Sequence, residues 1–87
     1  MKQEIYAIFD SVSKGLYLIF TAPNAMTATR SFAEAVKNKN FGPATKDVEL
    51  YKVGEIKNDG LEIKAITPIC VEKAVNFGQP NNEEQAK

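Results

Sequence analysis

Histidine is absent from this 87-residue chain, and cysteine occurs once, at Cys70. The missing histidine removes the side chain that titrates nearest neutral pH and the usual base for activating serine or cysteine. The two shortages together exclude an ordinary cysteine and histidine metal site within one chain, and a lone cysteine cannot form an intrachain disulfide. The five glycines make neither GxGxxG nor GxxxxGKS/T, so no phosphate cradle supports nucleotide hydrolysis. Asp10, Asp47 and Asp59 adjoin expected turns, where carboxylates accept backbone hydrogen bonds, and no motif joins them as paired catalytic carboxylates. The expectation is therefore a protein with no catalytic residue, no metal and no cofactor. No apolar run approaches the ~20 residues that a membrane-spanning helix needs. The opening Met-Lys-Gln-Glu-Ile-Tyr lacks the charged and apolar regions of a signal peptide, so a cytoplasmic location without membrane contact is expected.

An excess of one charge is lacking too: Lys plus Arg and Asp plus Glu both total 11. The whole molecule thus has no strong positive field of the kind that announces a nucleic-acid binder. The distribution is uneven. Residues 1–46 hold six basic residues against Glu4, Asp10 and Glu34, whereas residues 47–87 hold five against eight acids. An apolar fraction of 44% and a charged fraction of 25% are those of an ordinary globular domain. A chain this short buries roughly 60–65% of its unfolded surface, enough for one modest core.

What is present reads as strands around one helix. Glu-Ile-Tyr-Ala-Ile-Phe-Asp at 4–10 and Leu-Tyr-Leu-Ile-Phe-Thr at 16–21 flank a polar loop ending in Gly15, which predicts an antiparallel hairpin. Asn24 then stands where a side chain caps a helix from about Ala25 to Lys37. Ala25, Ala28, Phe32 and Val36 fall on one stripe, with Phe32 as the anchor. Residues 38–46, rich in Asn, Gly and Pro, predict a loop. Val48–Lys57 and Leu61–Ile66 flank Asn58-Asp59-Gly60 as a second hairpin, with Gly60 in its turn. Gly54 interrupts the third strand. Val48 and Leu50 share a face with Lys52 while Tyr51 and Val53 face oppositely, so a bulge near Gly54 is expected. Thr67-Pro68 is expected to end the last strand, with 69–77 lying across the domain as an apolar segment or helical turn. Residues 78–87 have little to bury and read as a disordered polar tail after a single domain of 1–77. The predicted class is α+β: a four-stranded antiparallel sheet, strand-strand-helix-strand-strand, with one helix on one face.

The first hairpin is apolar on both faces. Ile5, Ala7 and Phe9, with Leu16, Leu18 and Phe20, can form one face, and Tyr6, Ile8, Tyr17 and Ile19 the other, joined by Tyr51 and Val53. Such a second face is too apolar to be left open. A homodimer through it, or a fold-back of 69–77 over it, would cover it. Alternatively its three tyrosines could stack unpaired bases while Lys14, Arg30, Lys37, Lys39 and Lys46 contact phosphates. Glu34, four residues after Arg30, is placed to pair with it instead.

Ile-Tyr-Ala-Ile-Phe-Asp-Ser at 5–11, Arg-Ser-Phe-Ala-Glu-Ala-Val at 30–36 and Leu-Tyr-Lys-Val-Gly-Glu-Ile at 50–56 together resemble the small nonstructural protein of gokushoviruses, single-stranded DNA phages of the Microviridae. Order and spacing agree over about residues 4–77, with Tyr6, Arg30, Phe32 and Gly54 on the shared motifs. The resemblance implies a phage protein made in the bacterial cytoplasm, absent from the finished capsid and assigned to single-stranded DNA synthesis or DNA binding during genome packaging. It carries over no catalytic or base-contacting residue. Two roles follow as expectations: a dimeric accessory protein that binds single-stranded DNA, or an adaptor whose apolar tyrosine face docks on a phage replication protein, capsid precursor or host factor.

Overall fold

An unbroken apolar run from Ile5 to Phe9, branched or aromatic except at Ala7, draws Gln3–Asp10 into the first strand, β1, because such side chains pack well on a pleated surface. The computed structural model describes residues 3–57 and 61–76. A turn returns the chain as β2 (Gly15–Ala22), antiparallel to β1 from Glu4 opposite Ala22 to Asp10 opposite Gly15. Helix α1 (Ala25–Lys37) follows, its first turn capped by Asn24, whose Oδ1 accepts from the Thr27 amide at 2.8 Å. A 3-10 turn at Gly42–Asp47 leads into β3 (Val48–Lys57), which pairs with the other side of β1. β4 (Glu62–Lys73) pairs with β3, and the strand order is β2-β1-β3-β4. The strand-strand-helix-strand-strand class is therefore present, with α1 crossing from an edge strand over the sheet to β3. The expected turn at 58–60, with Gly60, and the tail at 78–87 lie outside the described residues.

Ala28, Phe32 and Val36 form the buried stripe of α1. They pack on Tyr6 and Ile8 of β1, Val48 and Leu50 of β3, Ala22, Phe41 and Ala74. Ala25, expected on that stripe, is exposed.

Which strand residues meet the helix differs from the sequence reading, because the register sets Ala7, not Tyr6 or Ile8, beside Tyr51 and because a bulge divides β2. Ile8 pairs with Leu18 but Phe9 with Leu16, leaving Tyr17 as an extra residue in β2. One inserted residue shifts the alternation, so Leu16 stands across from Phe9 while Leu18 and Phe20 stand across from Ile8 and Tyr6 on the helix side. The set Tyr6, Ile8, Tyr17, Ile19, Tyr51 and Val53 therefore does not share one surface. Tyr6 and Ile8 are core residues, 0% and 2% exposed, whereas Ile19, Tyr51 and Val53 line the opposite face. The second bulge lies where one was expected: Ile5 pairs with Gly54 and Tyr6 with Lys52, skipping Val53. Gly54 is required there, because a Cβ would come within 2.9 Å of the Lys64 carbonyl oxygen.

The last strand also runs further than expected. β4 continues through Pro68 to Lys73, with Ile69 opposite Lys52 and Cys70 opposite Tyr51. Residues 69–73 thus neither fold back over the open face nor form a helical turn; a 3-10 turn comes only at Ala74–Asn76. Pro68 is tolerated because β4 is an edge strand and the register with β3 slips between Lys52 and Gly54, so no ladder amide is needed at 68.

On the helix side of the sheet Lys52 Nζ bridges Glu4 at 3.1 Å and Glu55 at 3.2 Å. The Tyr6 hydroxyl donates to Glu4. Burial first, and this carboxylate second, hold the Tyr6 phenol protonated well above its ordinary range.

Candidate functional site

Four of the five candidate phosphate-binding residues gather at one pole of the sheet. Asp10 of β1 pairs with Val48 of β3, so the β1–β2 turn and the entry to β3 lie at the same end. Ser11 fastens them, its amide and hydroxyl donating to the Asp47 carbonyl at 3.1 and 3.0 Å. Helix α1 runs from the end of β2 toward this entry, which brings its C-terminus to the same pole. Lys14, Lys37, Lys39 and Lys46 are all exposed there. Arg30, also exposed, stands seven residues earlier on α1, ~10 Å back along the helix axis. Among the described residues none of these five forms an ion pair, Arg30 with Glu34 included.

Two of these lysines hold an unusual backbone. Lys14 has φ +62° and Lys39 φ +56°, the left-handed region that side chains with a Cβ rarely occupy. The Lys14 amide donates to the Asp10 carbonyl at 2.9 Å. The Asp10 carboxylate accepts from the Val12 and Ser13 amides at 2.9 and 3.2 Å, and these bonds, that from Val12 foremost, hold its carboxyl below the ordinary value. Lys39 closes α1: its amide donates to the Val36 carbonyl and that of Asn40 to the Ala35 carbonyl, each at 3.0 Å. That pair of bonds is the Schellman ending, in which glycine normally takes the place Lys39 holds. Glycine is adjacent in the first turn, at Gly15, and asparagines flank Lys39 in the second, yet lysine takes the left-handed position both times. Sequence reasoning singled out both lysines by charge alone and missed this conformation.

Beside the pole Tyr17 is half-exposed at 48%, its ring edge-on to Phe41 at 5.4 Å. Of the three tyrosines Tyr17 alone couples a solvent-facing ring with the basic residues. Tyr6 is buried, and Tyr51 sits on the open face, where its hydroxyl donates to Glu49 at 2.7 Å. That bond, with burial, pushes the Tyr51 phenol up to about 12.

The open face carries an apolar groove of about 420 Å³ lined by Ala7, Phe9, Leu16, Ile19, Tyr51, Val53 and Pro68. Phe9 and Tyr51 meet edge-to-face at 6.2 Å across its floor. Ala7, Phe9, Leu16 and Pro68 were not expected beside Tyr51 and Val53; the pairing of Ala7 with Tyr51 and the continuation of β4 put them there. Cys70 is exposed on the same side, opposite Tyr51, and burial followed by the Glu49 charge raises its thiol above the ordinary value, the reverse of what a reactive thiolate needs. Asn24, Phe32 and Gly54 serve the fold as cap, core anchor and close-approach glycine.

The match to known proteins spans nearly all of this arrangement: a family model described as phage ORF5 protein covers residues 3–77. The chain belongs to the phage ORF5 protein family. No curated protein and no solved structure matches it. The matched span takes in both features of this ORF5 protein, the basic pole and the apolar groove. Among the described residues no helix is long and apolar enough to cross a membrane.

Proposed function

We propose that this phage ORF5 protein is a gokushovirus-type nonstructural protein that binds single-stranded DNA, without catalysis, in the host bacterial cytoplasm during viral strand synthesis or genome packaging. The observation that carries this reading is the pair of lysines, Lys14 and Lys39, held at φ +62° and +56° at one pole. A left-handed lysine costs stability that glycine or asparagine would not, and strained backbone of this kind clusters where a side chain is wanted for binding. With Lys37 and Lys46 they offer four ammonium groups to phosphates, and Tyr17 offers an adjacent ring on which an unpaired base can stack, worth ~1–3 kcal/mol. A duplex offers no splayed base to Tyr17, so single strands are the preferred ligand.

The test is fluorescence anisotropy of a labelled single-stranded oligonucleotide at ~50 and ~200 mM salt, with matched duplex as control. Salt-sensitive binding that prefers the single strand is expected. Absence of binding at both salts would overturn the reading.

The groove on the open face favours a second reading, an adaptor that docks a phage replication protein, capsid precursor or host factor there. Val53→Lys would then abolish capture of that partner and leave DNA binding intact.

A further inference from the structure

β2 and β4 are the two edges of the sheet, and they are treated very differently. β4 carries Glu62, Lys64, Pro68, Glu72 and Lys73, the charges and proline with which proteins keep an edge from pairing. β2 reads Gly-Leu-Tyr-Leu-Ile-Phe-Thr-Ala, with no charge and no proline over eight residues. Three of its large side chains are half in solvent: Leu16 at 57%, Leu18 at 50% and Ile19 at 55%. The bulge puts Leu18 on the helix side, across from Ile8, and Leu16 and Ile19 on the groove side, across from Phe9 and Ala7. A body docked on either face would shelter one group and leave the other wet. Only a strand added in the plane of the sheet covers both.

We infer that β2 is a self-association edge, along which a second copy of this chain adds its own β2 antiparallel and continues the sheet from four strands to eight. The occupant has to supply unpaired edge amides with apolar side chains on both faces and no charge, and β2 itself meets that description. Charge fixes the direction. A parallel arrangement would set the two Lys14 side chains together, whereas the antiparallel one moves them to opposite ends of the paired strands, ~25 Å apart at ~3.3 Å per residue. The contact band is about that long and only as deep as the side chains on the two faces of one strand, ~5 Å each. This is a small interface held largely by strand pairing, so a dimer that dissociates at micromolar concentrations or above follows. The inference does not depend on what the basic pole binds.

Sedimentation velocity of the full chain from ~1 to ~100 µM, a range that brackets micromolar dissociation, is to be read together with amide hydrogen exchange. The expected result is a concentration-dependent dimer in which the outward amides of β2 exchange slowly, while those of β4 exchange fast as an internal reference. Leu18→Lys and Ile19→Lys should each give a folded monomer with fast β2 exchange, and Ile69→Lys, at an equally exposed position on β4 (56%), should remain dimeric. A wild-type monomer at ~100 µM, a dimer that persists in both β2 variants, or a dimer whose outward β2 amides stay fast would each overturn the inference, the last by pointing to packing across the open face. If the lysine variants do not fold, exchange in the wild-type dimer alone decides.

Discussion

Replacing Lys14 and Lys39 together by glycine removes two charges from the pole while supplying the residue its backbone favours. A left-handed residue with a Cβ costs roughly 1–2 kcal/mol, and glycine returns roughly 0.5–1 kcal/mol of that through the extra freedom of the unfolded chain. The net gain is ~0.5–1 kcal/mol per site, or ~1–2 kcal/mol for the pair, and 1 kcal/mol moves Tm by ~4–8 °C at this chain length. DNA binding should move the other way. With one phosphate neutralised by each of Lys14, Lys37, Lys39 and Lys46, log K falls with log salt at a slope of about −2.8, at ~0.7 per contact on single strands. Raising salt fourfold, from ~50 to ~200 mM, then weakens the wild-type protein ~50-fold. The double variant keeps two contacts, a slope of about −1.4 and a loss of only ~7-fold. The assays are thermal melting by circular dichroism and anisotropy titration on one preparation. A variant that melts higher yet keeps the wild-type salt slope refutes the assignment of these lysines to phosphate. One that melts lower refutes the strain argument on which the assignment rests.

Phe32, fully buried between α1 and the sheet, should lose ~3–5 kcal/mol on truncation to alanine. Against the ~5–10 kcal/mol available to so small a domain, urea denaturation should find a variant left with about half its stability or less, its midpoint moved to much lower urea. Gly54→Ala forces a Cβ to 2.9 Å from the Lys64 carbonyl and should cost ~1–3 kcal/mol as β4 shifts away, with faster exchange of β3–β4 amides than elsewhere. The Asp10 carboxyl is held below its ordinary value of 3.8 in the fold. Its contribution is therefore present above pH ~3.8 and is lost as pH falls below that. Asp10→Asn should flatten the acid limb of a stability-against-pH curve and leave the limb above neutrality unchanged.

The helix, its Asn24 cap and the extents of β1 and β3 were legible because local chemistry and burial period agree there. Face assignment in β2 was not. Leu16, Leu18 and Phe20 keep a perfect alternation in sequence, and a single extra residue at Tyr17 breaks it only once β1 is alongside. With apolar residues at every position from 16 to 20, either register buries something, so the pattern alone could not choose. β4 was cut short because proline removes a ladder donor, a penalty that applies only where the donor is used. Edge position and slipped register both remove the need at Pro68, and neither is visible before the strand order is known. Lys14 and Lys39 were chosen for charge, while their backbone was hidden by Gly15, Asn38 and Asn40, the neighbours that would ordinarily take the left-handed place.

A neutral composition does not contradict a basic pole, because the acids are deployed differently from the lysines. Glu4 and Glu55 hold Lys52 between them, Glu49 accepts the Tyr51 hydroxyl on the open face, and Asp10 is turned inward onto its own turn amides. Lys14, Lys37, Lys39 and Lys46 have no carboxylate within ion-pair distance among the described residues. At physiological salt the Debye length is only ~8 Å, so a phosphate at the pole responds to these lysines, less what Asp10, Asp47 and Glu49 at the same end subtract, and hardly at all to Glu4 and Glu55 at the other end of β1 and β3. Net charge is thus a poor guide to this protein. Antiparallel pairing along β2 would add a second pole at the opposite end of the shared strands, and one flexible strand of DNA could then engage both. The second contact would be intramolecular, so the dimer would gain affinity by effective concentration without a new contact. That gain should disappear in Leu18→Lys and leave each pole's own salt slope unchanged, which separates a defect in pairing from a defect in phosphate binding.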